Sequence, residues 1–242
     1  EIKLIEKNWG EANNADVLAV LRSTARQLFP HSGRKDWDAI HVGRSSKGPI
    51  VLFRRGNQGQ YFVNLNTGNR FWCQYAFQFS HEIGHILCGY RQGDQSNHWF
   101  EETLCETASL FALNKLSEDW KTNPPYSNWK SYAGAFKEYA RERIDKHPWP
   151  EDLSMAEWFE KEKKDLAKNA TNRERNLMVA IRLLPFFEDD PTGRTAVSTL
   201  NTKKDKKKRS FETYLRDWKE ECKTDEHRAF AGKIAKAFGL DP

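Results

Sequence analysis

The 242-residue chain sets 39 Lys and Arg against 34 Asp and Glu, for a formal charge of +5. Its 38% hydrophobic and 13% aromatic residues, including nine Trp and fifteen Phe, supply enough bulky apolar surface for a real core, which excludes a disordered chain. No apolar run reaches transmembrane length. The interspersed charge also excludes the concentrated basic face of a nucleic-acid binder, apart from one run, Lys203 to Arg209 (KKDKKKR). That run reads as a solvated segment or as a contact with an anionic surface.

The first expected element is a helix from Ala15 to Leu28, with Val17, Leu18, Val20, Leu21 and Leu28 on its apolar face and Pro30 beyond its end. Three short β-branched or aromatic runs follow: 39–42, 50–54 and 60–65. Gly, Ser and Asn separate them, and turns are expected at Arg55-Gly56-Asn57 and Thr67-Gly68-Asn69. A small, mostly antiparallel sheet is the natural assembly of these strands.

From Trp72 the periodicity becomes helical. One apolar helix is expected over 72–90, ended by Gly89 or Gly93, and a second over 99–116. After Pro124-Pro125 the pattern is almost all helix, over 129–144, 155–168, 173–184, 211–219 and 227–238. Pro148, Pro150, Pro185 and Pro191 punctuate it. The expectation is an α+β fold in two regions. Residues 1–120 hold the sheet and the two apolar helices, and residues 121–242 form a helical C-terminal region.

The chemistry concentrates in His81-Glu82-Ile83-Gly84-His85, an H-E-x-x-H sequence. Helical positions i and i+4 share a face, with Cβ atoms about 6 Å apart, so both imidazoles can reach one cation. Zinc accepts neutral imidazole, and a Glu directly after the first His points to the adjacent side, where it can act as a general base on a metal-bound water. Phe77, Phe79, Ile83, Ile86 and Leu87 surround the motif. Two His and a Glu in so apolar a helix are costly without a compensating partner.

A catalytic zinc needs a third protein ligand, and Trp99-Phe100-Glu101-Glu102-Thr103-Leu104-Cys105-Glu106 offers acids for it. Glu102 and Glu106 lie one helical turn apart, so one can bind the metal while the other accepts a hydrogen bond from a ligating His. Glu101 competes for the ligand role, pointing about 100° away from Glu102. Cys73, Cys88, Cys105 and Cys222 lack zinc-finger spacing. Cys88 and Cys105 read as small buried thiols, or as a disulfide between the two metal helices if the protein is exported, and not as zinc ligands.

An H-E-x-x-H followed by a W-x-x-E helix, with a further acid four positions on, resembles the gluzincin metallopeptidases. The resemblance covers roughly residues 60–116. It implies a zincin-like fold, with the small sheet packed on the H-E-x-x-H helix and a largely helical region after it. It also implies Zn2+ on His81, His85 and Glu102, the general base at Glu82 and a supporting acid at Glu106. Thr103 stands where those enzymes usually carry Gly, and no G-A-M-E-N type exopeptidase signature accompanies it.

The activity implied is zinc-dependent peptide-bond hydrolysis of a peptide or protein substrate, with zinc-bound water as nucleophile. The substrate would add as an extra strand, for which 60–65 (QYFVNL) is the candidate. Tyr126, Tyr132, Tyr139 or His147 would stabilise the oxyanion. The alternative is a non-catalytic domain, or a regulator of a single partner, that retains a zinc site. No nucleic-acid partner is expected. The chain begins at Glu1, which fits an export signal removed upstream as well as a trimmed segment, and secretion or periplasmic export is the expectation.

Overall fold

The computed structural model describes residues 1–34, 36–89, 95–203 and 208–241. It shows an α+β fold, mostly helical, with a mixed sheet of four strands among the described residues. Strands β1 (Ile2–Leu4), β2 (Ile40–Arg44), β3 (Ile50–Val51) and β4 (Tyr61–Leu65) lie in the order β1-β2-β4-β3. β1 pairs parallel to β2, with Ile2 opposite Ile40, and β2 pairs parallel to β4, with Ile40 opposite Tyr61. Only β3 runs antiparallel, with Val51 opposite Val63.

The mostly antiparallel expectation is therefore wrong, and connectivity explains why. Helix α1 (Asn14–Leu28) is the crossover between β1 and β2, and such a crossover returns the chain in the same direction. Asn13 caps α1, its side chain accepting from the Asp16 backbone N–H.

By contact density the chain divides into two units, and the division runs through two helices, α2 (Trp72–Leu87) and α3 (His98–Asp119). The first unit comprises 1–30, 34–84 and 108–143. Its sheet buries alternate residues of β4 (Tyr61, Val63 and Leu65), as period-2 geometry dictates. The segment after β4 is tied to α2 by Gln78, whose amide accepts from the Asn66 backbone N–H at 2.8 Å and donates to its carbonyl at 3.0 Å. Ser109 on α3 donates to the Phe77 carbonyl of α2 at 2.9 Å. A ladder of tryptophans completes the packing: Trp129 stacks on Trp72 at 5.2 Å and on Trp120 at 5.5 Å.

The second unit comprises 31–33, 85–107 and 144–242. Its core is aromatic and centres on Phe211, which packs against Trp99, Phe100, Phe159 and Phe238 with centroids 4.8–5.1 Å apart. Trp99 and Phe100 belong to the first turn of α3, so this core fixes the start of that helix. Helices α4 (Ala133–Asp145), of the first unit, α5 (Met155–Lys168), α6 (Arg173–Asp189), α7 (Pro191–Ala196), α8 (Phe211–Glu221) and α9 (Asp225–Ala237) make up the helical remainder.

Pro185 was expected to end a helix and instead lies inside α6. It removes one backbone hydrogen bond, yet Leu183, Leu184 and Phe187 are buried around it and hold the helix together. Gly89 adopts φ +91°, a left-handed conformation suited to glycine, and ends α2 just after Leu87. The alternative stop at Gly93 lies outside the described residues, as does 204–207 of the basic run. Lys203 and Arg209, at the two ends of that run, both pair with Asp217.

Candidate metal centre

His81 and His85 stand one turn apart on α2, and His85 occupies its last turn, where the negative end of the helix dipole favours a cation. His81 and Glu82 are buried. Cys105, on α3, is fully buried and joins the two histidines: one ligand atom from each of His81, His85 and Cys105 lies within 4.8 Å of the others. The third member of this group is thus Cys105, a thiol that the sequence expectation set aside as a ligand, and not Glu102, the acid that it named.

Glu102 is nearby. Its Oε1 lies 3.7 Å from His85 Nε2 and 3.1 Å from His98 Nε2. Glu106, expected to support a ligating His, is buried on the next turn of α3. A support for His85 is visible at the neighbouring acid. Glu101 Oε1 lies 2.7 Å from His85 Nδ1, and a carboxylate can only accept, so Nδ1 carries the proton and Nε2 keeps its lone pair for a cation.

Glu101 is itself held. Asn201 donates to its Oε2 at 2.7 Å, and Tyr214 donates to the Asn201 side-chain oxygen at 2.9 Å. Tyr214, Asn201, Glu101 and His85 thus form one hydrogen-bonded chain inside the second unit. Burial alone would raise the Glu101 carboxyl, but the hydrogen bonds from His85 and His98, with the charge of His98, outweigh it and hold the group below its ordinary value.

His98 went unnoticed in the sequence. Its Nδ1 is 3.7 Å from Glu101 Oε2, its Nε2 meets Glu102, and its ring stacks on that of His85 at 6.0 Å. Burial lowers its pKa, while the two carboxylates raise it by more, to about 10. The signal that could have found it is spacing: on a helix, residues i+3 and i+4 from His98 are Glu101 and Glu102.

All four cysteines are free thiols. Burial pushes the Cys105 thiol well above its usual range, and its Cys88 neighbour, Glu101 and Glu102 add to the effect. A cation binding there would displace its proton, so binding is coupled to pH.

The donor set fits zinc. Two imidazoles and a thiol are ligand types that zinc takes, and His85 has its tautomer already set. Glu82, directly after His81, projects to the adjacent side of the helix.

The residues expected to surround a substrate fall out differently. β4 pairs on both sides, with β2 and with β3, so 60–65 is internal and has no free edge for an added strand. The outer strand on that side is β3, where Ile50 is half exposed. Tyr132 Oη accepts from Cys73 Sγ at 3.5 Å, Tyr139 Oη accepts from Arg143, and Tyr126 packs edge-on against Trp129. The backbone N–H of His147 bonds to the Ile144 carbonyl at the end of α4.

No protein-family model matches this chain, and no curated protein or solved structure does so either. Among the described residues no helix is long and apolar enough to cross a membrane.

Proposed function

We propose that the chain is a zinc-dependent peptidase of zincin-like, gluzincin type. The observation that carries this reading is the meeting of both histidines of the H-E-x-x-H helix with a donor from α3, beside a His85 whose tautomer Glu101 fixes. His81 and His85 would hold the ion. Cys105 or Glu102 would complete the set, and the 3.7 Å from Glu102 Oε1 to His85 Nε2 keeps both in reach. When bound, zinc supplies Lewis acidity that activates water and polarises a substrate carbonyl.

The chain's own residues do the rest. Glu82 takes the proton from the attacking water and passes it to the leaving amine. The Glu101–Asn201–Tyr214 chain keeps the His85 ring in place through the cycle. The peptide would add along the outer strand β3, exchanging main-chain hydrogen bonds with it. The H-E-x-x-H and W-x-x-E resemblance supports this assignment of roles.

The test is Glu82→Gln. The variant should keep one equivalent of zinc by elemental analysis, while peptide cleavage falls by at least about a thousandfold, as expected when the proton-transfer group is removed along with its share of water activation. Unchanged turnover would end the proposal.

A second reading has its own support. His81, His85, Cys105 and Glu102 together are four protein donors, the number that closes a structural zinc site. On this reading the domain is non-catalytic or serves a single partner. Removing zinc would then unfold it, and no peptide in a library would be cut.

A further inference from the structure

Far from the metal helix's histidines, the first unit holds a cavity of about 390 Å³ lined by Asp16, Arg70, Trp72, Tyr126, Asn128 and Trp129. Trp72 and His81 share α2 and are nine residues apart, so at about 1.5 Å per residue the cavity wall stands about 14 Å along the helix from the first proposed ligand. The volume is at the small end for ligand pockets.

The cavity's charges are unusual in their arrangement. Asp16 and Arg70 line the same space, yet among the described residues they form no ion pair with each other or with any other side chain. One Asp16 oxygen accepts from the Asn13 amide at 2.8 Å, which leaves the other oxygen available. Arg70 is exposed and its guanidinium presents a planar fork of donors suited to a carboxylate.

A simple anion entering here would meet Asp16, and a simple cation would meet Arg70. A molecule carrying both charges satisfies both. The aromatic wall adds a place for a side chain. Trp129 stacks with both Trp72 and Trp120, while Tyr126, held edge-on to Trp129 at 82°, is 39% exposed and offers its ring. Asn128 adds an amide that can both donate and accept.

We propose that this cavity binds a free α-amino acid as its zwitterion, with the carboxylate on Arg70, the ammonium on Asp16 and an apolar side chain against Tyr126. The site needs no metal and stands apart from the peptidase reading.

The experiment is calorimetric titration of the full chain, in excess chelator, with L-phenylalanine, glycine, N-acetyl-L-phenylalanine and L-phenylalaninamide. L-Phenylalanine should bind saturably at one site, and each blocked analogue should bind at least about tenfold more weakly, because it lacks one charge-assisted contact. Arg70→Ala should erase the preference for the acid over the amide. Asp16→Asn, which keeps an oxygen for Asn13, should erase the preference over the N-acetyl compound. Tyr126→Ala should bring L-phenylalanine down to glycine. Absence of saturable heat up to about 10 mM overturns the proposal. So does equal binding of the blocked analogues, or binding that appears only without chelator. Arg70 is exposed and makes no ion pair among the described residues, so its variant decides the matter even if another fails to fold.

Discussion

Around Trp120 the interior is made of ring faces. The indole is fully buried, stacks on Trp129 at 5.5 Å, meets Phe136 edge-on at 4.8 Å, and satisfies its one polar atom by donating to Ser23 at 2.7 Å. Around Glu101 the interior is made of polar atoms: two imidazoles, two carboxylates, an amide and a phenol within hydrogen-bonding or ion-pair reach. Both regions are buried, but they answer to different physics. The first gains from apolar area and ring geometry and tolerates approximate placement. The second loses by desolvation unless every partner is present, so its value lies in fixing directions.

Substitutions should separate the two regions. The largest effect on folding is expected at Trp120→Ala, which empties a stacked site and strands the Ser23 hydroxyl. It should cost about 3–5 kcal/mol in denaturant unfolding and leave the zinc content of the folded fraction unchanged. A loss under about 1 kcal/mol would mean the ladder is not a core element.

On the polar side, Cys105→Ala and Glu102→Ala form a matched pair. If the thiol is the ligand, the first should lower zinc affinity by more than about a hundredfold and the second by less, as read by competition with a chelator dye. The reverse order would assign the third position to Glu102.

Asn201→Ala should weaken zinc by about ten- to a hundredfold with little change in unfolding, because it frees Glu101 and, through it, the His85 ring. Equal affinity in this variant would show that the relay positions nothing.

A further effect is read against pH. His98 is raised from 6.5 to about 10 in the folded protein. Its contribution to stability is therefore complete below about pH 6.5 and is lost as pH climbs through about 10. The melting temperature of the metal-free protein should fall across that window more steeply for the wild type than for His98→Asn.

The contrast also explains what the sequence could tell. Helix α5 has the expected bounds because Ser154 and Glu157 form a reciprocal capping box ahead of a clear apolar period. The H-E-x-x-H helix starts at the expected residue because its signal is equally local. Strand β1 spans three residues, too short to show a period, and the direction of β2 depends on the route of α1, which no alternation pattern records. Pro185 misled because the burial of Leu183, Leu184 and Phe187 outweighs a local rule.

At the site, both histidines and Glu82 are legible as a spacing. Cys105 reads as one more small apolar residue until folding sets its sulfur beside them. Glu101 and Glu102 are adjacent, and the one that braces His85 is the one held by Asn201, a hundred residues onward.

The sulfur of Cys105 carries a consequence for which element this centre admits. A thiolate beside two imidazoles is a soft donor set, poorly matched to magnesium, calcium or manganese, which take oxygen. Fully buried in α3, that one atom would bias whatever ion the group held: hard ions would be disfavoured by bonding preference, and borderline ions of the later transition series favoured.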